Sequence, residues 1–306
     1  MRRAVHGVLL LDKPLGVSSN QALQHAKRLF RAEKAGHAGT LDPLATGLLP
    51  ICFGAATKFA QFGLDADKRY SATLQFGVTT TTGDREGELV LRREADVRHE
   101  RLAAACAAFI GRIAQVPPMH SALKRDGKPL YEYARSGIEI EREPREVTIH
   151  RIDVAHGRGD CWTIDIQCSK GTYIRTLAED IGEALGCGAH LAALRRTASG
   201  SLSAADACTF DQLEAMAEAD RDALLRPADA LLDEWPVLRL TSDDAARFLA
   251  GMRRRSDVAD AACVRVYGPQ PKAFLGTGHV KAGELISTRL LSPPEVQGLL
   301  DSESTP

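Results

Sequence analysis

One pattern restricts the fold of this 306-residue chain more than any other: strand-like and helical segments interleave without a regular β-α-β period. Polar and apolar residues alternate along residues 70–77, 147–154 and 161–168, as they do in half-buried strands. A Gly/Asp turn joins the last two segments, which predicts an antiparallel hairpin. Residues 99–111 and 176–185 have helical apolar spacing. Because the sequence also lacks a dinucleotide-binding glycine fingerprint, we expect an α+β protein with an appended small β domain.

Three further segments define the expected organisation. Residues 112–146 are basic and rich in proline and glycine, so we expect a surface excursion there, with a short helix at 130–136. Residues 201–235 are acidic and resemble a helical connector. Short β-like runs at 262–266 and 274–276 follow it. These features predict a main domain over residues 1–235, with an insertion at about 112–146, and a small β domain over 236–306.

The net charge hides a strong local gradient. The chain has 39 Lys and Arg against 40 Asp and Glu, and the resulting average of −1 argues against a nucleic-acid partner. However, residues 1–60 carry eight Lys or Arg and three acids, and residues 251–290 carry seven and three. Residues 201–235 carry nine acids and two bases. The two basic blocks keep a polyanionic partner possible, although solvated surface is the simpler interpretation.

Cysteine usage and the missing motifs exclude several classes of protein. Seven cysteines without a C-x-x-C pair predict neither a disulfide framework nor a zinc ribbon, and we expect buried, inert thiols and no metal. No apolar run suits a signal peptide or a membrane span, so we expect a cytoplasmic protein. The P-loop, the G-x-S-x-G elbow and the H-E-x-x-H helix are all absent. Nucleotide hydrolysis, serine-hydrolase chemistry and metalloprotease chemistry are therefore disfavoured.

Three clusters of residues suggest chemistry. Asp42 lies in Gly-His-Ala-Gly-Thr-Leu-Asp-Pro, where the following proline keeps it out of helical geometry and the glycines allow close approach of a partner. The second cluster, residues 168–177, presents Tyr173 and Arg175 just before a helix. The third is Asp67-Lys68-Arg69-Tyr70. Taken singly, each has a structural interpretation: a turn, a helix start and core packing.

Taken together, these segments resemble the tRNA pseudouridine-55 synthases of the TruB family. The resemblance is carried in order by HGVLLLDKPLGVSS, GHAGTLDPLATGLLP, Lys68–Tyr70, SKGTYIRTLAEDIG and HLAALRR. Ser121–Lys124 and Leu130–Arg135 resemble the segment with which that family grips RNA. The resemblance covers about two thirds of the chain and implies a mixed-sheet pseudouridine synthase domain followed by a small PUA-like domain.

The resemblance also implies roles for particular residues. Asp42 takes the position of the catalytic aspartate, and Arg175 that of the arginine that pairs with it and favours its ionised form. Tyr70 matches the tyrosine stacked on the target uracil, with a hydroxyl that is a candidate for proton transfer. His37, Tyr173 and Leu194 match positions that contact the substrate nucleotide or its neighbours. Lys13 matches a lysine with either a structural or an RNA-contacting role.

The implied reaction converts uridine 55 in the T-loop of tRNA to pseudouridine by base flipping, without a cofactor. The two basic blocks and the 112–146 segment would line the RNA path. The partner is expected to be tRNA, without a guide RNA or a membrane, and the protein a monomer. A guide-RNA-dependent synthase of the dyskerin type and a non-catalytic RNA-binding or tRNA-chaperone module remain as alternatives. Whether Asp42 attacks C1′, attacks C6 of uracil or removes a ribose proton is left open.

Overall fold

A computed structural model describes residues 1–269 and 273–302 of the chain. In chain order the strands are β1 (Gly7–Lys13), β2 (Ala35–His37), β3 (Ala45–Phe53), β4 (Lys68–Phe76), β5 (Val78–Thr80), β6 (Leu89–Arg92), β7 (Gly111–Gln115), β8 (Lys124–Arg125), β9 (Lys128–Pro129), β10 (Arg145–Arg158), β11 (Cys161–Cys168), β12 (Ala189–Ser199), β13 (Leu202–Ser203), β14 (Val237–Arg239), β15 (Arg254–Arg255), β16 (Ala261–Tyr267), β17 (Phe274–Lys281) and β18 (Glu284–Leu290). The α-helices are α1 (Ser19–Leu29), α2 (Ala60–Asp65), α3 (His99–Ala107), α4 (Leu130–Arg135), α5 (Ile174–Ala184), α6 (Phe210–Ala215), α7 (Glu218–Ala223), α8 (Ser242–Leu249) and α9 (Pro293–Ser302).

The chain forms two compact units. Unit one comprises Met1–Pro43, Gly47–Leu64 and Gly200–Pro306, and unit two comprises Leu44–Thr46 and Asp65–Ser199. This division differs from the one expected from the sequence, because the C-terminal residues pack with the N-terminal ones. The boundary at 235/236 stays a prediction, and β14 begins just after it.

Unit two is built on an antiparallel sheet with the strand order β12-β4-β11-β10-β7. The alternation seen in the sequence places Ala72, Leu74, Ile164 and Ile166 in one buried cluster, to which α5 adds Ile174 and Leu177. The predicted hairpin is confirmed: β10 and β11 pair around the turn at 159–160. Residues 116–144, here called the insertion, leave the sheet after β7 and return to it at β10.

Unit one contains two sheets. Its N-terminal part has β3 between β1 and β2, all antiparallel, with α1 contributing Ala22, Leu23 and Ala26 to the core. The start of α1 is fixed by the capping box that Ser18 forms with Gln21. Its C-terminal part is a five-stranded sheet ordered β14-β16-β17-β18-β15, in which β14 runs parallel to β16. The expected α+β class with mixed sheets is thus confirmed.

Several local predictions need correction. The turn expected around Asp42 is flanked by strands, since Gly36 and His37 lie in β2 and residues 45–47 begin β3. The helix expected over 99–111 ends at Ala107, because Gly111 starts a strand. The 112–146 segment begins and ends inside β7 and β10, so its excursion is shorter than expected. The acidic connector is helical as expected, in the form of short helices separated by turns.

Two other findings concern exposure. Cys52, Cys106, Cys168 and Cys187 are buried, and burial raises the pKa of the Cys52 thiol to about 12. Cys161 is exposed, so the expectation of uniformly buried cysteines is wrong at that position. Within residues 1–269 and 273–302, no helix is long and apolar enough to cross a membrane.

Candidate active site

Backbone hydrogen bonds fix the segment that carries Asp42. The hydroxyl of Ser19 accepts the Leu41 N–H at 2.7 Å and donates to the Leu41 carbonyl oxygen at 2.9 Å. On the other side of Asp42, the Pro43 carbonyl oxygen accepts the Gly16 N–H at 2.8 Å. Asp42 itself is half-buried in unit one. The carboxylate therefore stands on a backbone that is held immediately before and after it.

The first residues of unit two, Leu44–Thr46, directly follow Asp42 and Pro43 in the chain. Leu44 is buried in the same apolar cluster as Ala72 and Ile174. The hydroxyl of Thr46 lies 3.4 Å from the carbonyl oxygen of Leu194, to which it donates. Residues 44–46 are thus anchored beside β12.

Tyr70 and Leu194 lie on one face of the sheet of unit two. Leu194 in β12 pairs with Ala72 in β4, and Tyr70 is two residues from Ala72, so its side chain leaves the strand on the same side. Both Tyr70 and Leu194 are half-buried and pack against the apolar cluster that contains Leu44. They form an apolar surface with an exposed edge, of the kind on which a planar base can stack.

Arg175 is a buried cation in the first turn of α5. Its side chain is 6% exposed, and the amino end of a helix disfavours positive charge. Compensation comes from three acceptors. Nη2 donates to the His120 carbonyl oxygen at 2.6 Å, Nη1 donates to the Thr82 carbonyl oxygen at 3.2 Å, and Nη1 lies 3.7 Å from Oδ2 of Asp84. The guanidinium is therefore held from two sides within unit two.

Asp84 is the site residue that the sequence analysis missed. It lies in the connection between β5 and β6 and is only 5% exposed. Its Oδ1 accepts from the Thr82 hydroxyl at 2.6 Å and from the Glu86 N–H at 3.0 Å, which leaves Oδ2 towards Arg175. The only sequence signal is Gly-Asp-Arg-Glu-Gly, a pattern shared by many exposed turns.

Two ionisable groups adjoin these residues. Burial and, to a smaller extent, the nearby Arg196 guanidinium together lower the pKa of the Lys68 ammonium to about 8. Lys68 begins β4, two residues before Tyr70, and donates to the Ala66 carbonyl oxygen. Burial also raises the pKa of Glu179, one helical turn after Arg175, with Asp180 acting in the same direction and Arg175 against it.

The remaining candidates from the sequence lie in both units. His37 is half-buried in β2 of unit one, opposite Ile51. Lys13 is fully buried, and its ammonium donates to the carbonyl oxygens of Pro14 at 3.0 Å and Val17 at 2.6 Å. This environment favours a structural role for Lys13 over an RNA-contacting one. Tyr173 is half-buried at the N-cap position of α5. Tyr70, Tyr173, Arg175 and Leu194 therefore belong to unit two, and Asp42, His37 and Lys13 belong to unit one.

Known proteins match the chain over nearly its whole length. Residues 27–174 match the family described as TruB family pseudouridylate synthase (N terminal domain). Residues 175–233 match the tRNA pseudouridylate synthase B C-terminal domain, and residues 236–291 match Pseudouridine synthase II TruB, C-terminal.

Two proteins named tRNA pseudouridine synthase B are close relatives. That of Cupriavidus pinatubonensis is 56% identical over 304 residues, covering 95% of each chain. That of Verminephrobacter eiseniae is 55% identical and covers 99% of this chain and 93% of its own. Among solved structures, a Cbf5–Nop10–Gar1 complex matches with a TM-score of 0.72 and 23% identity, covering 95% of this chain and 87% of that one. The structural match confirms the fold.

Proposed function

This chain belongs to the TruB family of pseudouridylate synthases, and we propose that it converts uridine to pseudouridine at position 55, in the T-loop of tRNA. It is thus an isomerase, a tRNA pseudouridine synthase. The observation that supports this assignment is the burial of Leu44 in the apolar cluster against which Tyr70 packs and which contains Ile174, the residue before Arg175. Leu44 follows Asp42 by only two residues, a span of at most about 7 Å between Cα atoms. Chain connectivity thus supports a site composed of Asp42, Tyr70 and Arg175.

The reaction needs an ionised carboxylate and a means of moving one proton. The N1–C1′ bond of uridine breaks, the uracil turns, and a new bond joins C1′ to C5. The hydrogen on C5 leaves as a proton and N1 gains one, so the product is an isomer of the substrate. Asp42 supplies the carboxylate, as nucleophile or as base. Arg175 is the proposed partner of this carboxylate, since the fixed fork of arginine suits a carboxylate better than lysine does.

The remaining candidates bind the nucleotide. A T-loop uridine is stacked inside the RNA and must be flipped out before a carboxylate reaches C1′ or C6. In the proposed reaction the flipped uracil stacks on the face that Tyr70 and Leu194 share, and the Tyr70 hydroxyl is a candidate for proton transfer. Tyr173 and His37 contact the target nucleotide or its neighbours. The burial of Lys13 supports a role in shaping the turn at 14–17 rather than in touching RNA.

The protein is proposed to act on tRNA as a cytoplasmic monomer, without a guide RNA. The test is to incubate the purified protein alone with unmodified tRNA and to map pseudouridine by position. We expect modification at uridine 55 alone. Modification only after a guide RNA is added would identify a guided synthase, and binding without modification would identify a passive RNA-binding module.

A single substitution tests the role of Asp42. Asp42→Asn keeps the size of the side chain but removes its charge, so we expect no pseudouridine while tRNA still binds. The control is Asp96→Asn, because Asp96 is an exposed acid of unit two that pairs with Arg98. Pseudouridine formed by the purified Asp42→Asn variant would refute the assignment.

A further inference from the structure

We infer that Gln115 is a positioning residue that ties the insertion to Tyr173 and Arg175. The inference rests on the proposed function, since it gives those two residues a part in the reaction. Gln115 is the last residue of β7 and pairs with Arg145, the first residue of β10. The insertion therefore leaves and re-enters the sheet at this one pair.

The side chain of Gln115 holds the backbone of Tyr173 at two points. Its Oε1 accepts the Tyr173 N–H at 3.0 Å, and its Nε2 donates to the Tyr173 carbonyl oxygen at 3.3 Å. Gln115 is only 2% exposed, so water does not compete for these bonds. The N-cap position of α5 has no side-chain cap of its own. Gln115 thus supplies the contact that sets where α5 begins, two residues before Arg175.

The same stretch of chain also holds the guanidinium. The insertion root, residues 115–121, includes His120, whose carbonyl oxygen accepts from Arg175 Nη2 at 2.6 Å. Pro117 and Pro118 lie between Gln115 and His120 and restrict the backbone there. The two contacts are thus joined by a stiff link.

The insertion root is also bonded to the rest of the insertion. The Ser121 carbonyl oxygen accepts the Tyr131 N–H at 3.1 Å, at the start of α4. The Pro117 carbonyl oxygen accepts from Arg142 Nη1 at 3.2 Å. A displacement of α4 is therefore transmitted to residues that touch Tyr173 and Arg175. The consequence is that the position of the insertion and the geometry of the proposed site are set together.

The test compares Gln115→Leu with Gln75→Leu. Gln75 is a half-buried glutamine of the same sheet that donates to the Phe76 carbonyl oxygen, and it has no part in the proposed site. For each variant, the rate of pseudouridine formation is measured with enzyme in excess over unmodified tRNA, together with the tRNA dissociation constant. We expect Gln115→Leu to lower the rate at least about tenfold and to change tRNA affinity by less than about threefold, since it displaces a reacting group without removing a phosphate contact. We expect Gln75→Leu to leave the rate unchanged.

A second variant gives a measurement that would not change with pH if Gln115 had a merely structural role. In Gln115→Glu an ionised carboxylate would accept the Tyr173 N–H but would repel the Tyr173 carbonyl oxygen. Burial raises the pKa of a carboxyl group, and the protonated form donates to that oxygen. We therefore expect the rate of Gln115→Glu, divided by that of the wild type at the same pH, to increase as the pH is lowered from about 8 to about 5.5. This recovery also keeps the test valid if Gln115→Leu does not fold.

Three results would overturn the inference: a wild-type rate in Gln115→Leu, a loss confined to tRNA affinity, or a pH-independent ratio for Gln115→Glu. Amide hydrogen exchange at Tyr173, measured without RNA, separates this inference from the proposed function. If the wild type forms no pseudouridine, the proposed function fails. Unchanged exchange in Gln115→Leu would then refute the Gln115 contact itself, and faster exchange would support it.

Discussion

Replacing Asp84 with asparagine isolates the charge that faces Arg175. In the wild type, Oδ1 of Asp84 is occupied by the Thr82 hydroxyl and the Glu86 N–H, and Oδ2 lies 3.7 Å from Nη1 of Arg175. Asparagine keeps the first oxygen and its two bonds. The second oxygen becomes an amide NH₂ group, which presents a partial positive charge to the guanidinium.

The size of the effect follows from burial and distance. Both side chains are less than 10% exposed. Two unit charges at this separation attract by about 4.5 kcal/mol at an effective dielectric constant of about 20. The two backbone carbonyls that also hold Arg175 remain, so we expect a loss of about 2 kcal/mol in the free energy of unfolding, below the ~3–5 kcal/mol typical of a fully stranded buried charge. We expect the guanidinium to be less well held, and the rate of reaction to fall about 10- to 100-fold.

Both quantities can be measured on one preparation. Urea denaturation gives the free energy of unfolding, and release of tritium from C5-labelled uridine in tRNA gives the single-turnover rate, since the reaction replaces the C5 hydrogen. Asp96→Asn is the matched control, because its pair with Arg98 is about three-quarters exposed and is expected to contribute less than about 0.5 kcal/mol. A wild-type rate in Asp84→Asn, with stability changed no more than in the control, would refute the argument that Asp84 holds Arg175.

Three further predictions use other features of the molecule. Ser18→Ala removes the capping box of α1, so we expect the free energy of unfolding to fall by about 1 kcal/mol in urea denaturation. The pKa of Lys68 is lowered on folding from 10.5 to about 8, so between these values the unfolded chain binds more protons. The free energy of unfolding should therefore rise with pH across that window, and Lys68→Met should lack this component of the rise when denaturation is followed against pH. Affinity for tRNA should fall steeply with salt in a binding titration, because phosphate contacts release counterions, and a flat response would count against a basic RNA path.

Prediction from the sequence is best for elements whose burial pattern is set by neighbouring residues in the chain. Apolar alternation located β4, β10 and β11, since a strand with one buried face displays that face directly in the sequence. The start of α5 was predicted within two residues for a similar reason. In contrast, β12 was missed. Its segment His190–Arg196 mixes leucines with two arginines, which hides the alternation of a strand. Arg196 is only 1% exposed, and the sequence pattern does not reveal that a charged residue is buried there.

Long-range contacts account for the rest. Tyr70, Tyr173 and Arg175 could be proposed from the family resemblance, but Asp84 has no local pattern that separates it from a solvated turn acid. Its burial arises because β12 closes over the turn: the Leu191 N–H donates to the Gly83 carbonyl oxygen at 3.0 Å, and the Arg85 N–H donates to the Leu191 carbonyl oxygen at 3.1 Å. Those partners are about a hundred residues apart in the chain. No short window of the sequence contains both the turn at 83–85 and its partner Leu191.

Ion pairs between distant residues also change how the charge pattern of the sequence is interpreted. The acidic connector pairs with both basic blocks inside unit one: Glu218 with Arg3 and Arg31, and Asp229 with Arg265. Each such arginine stabilises the packing of unit one and presents less net charge to a phosphate than a count of residues suggests. Lys124 and Arg125 of the insertion are exposed instead. These two charges lie on the segment whose root, through Gln115 and His120, contacts Tyr173 and Arg175.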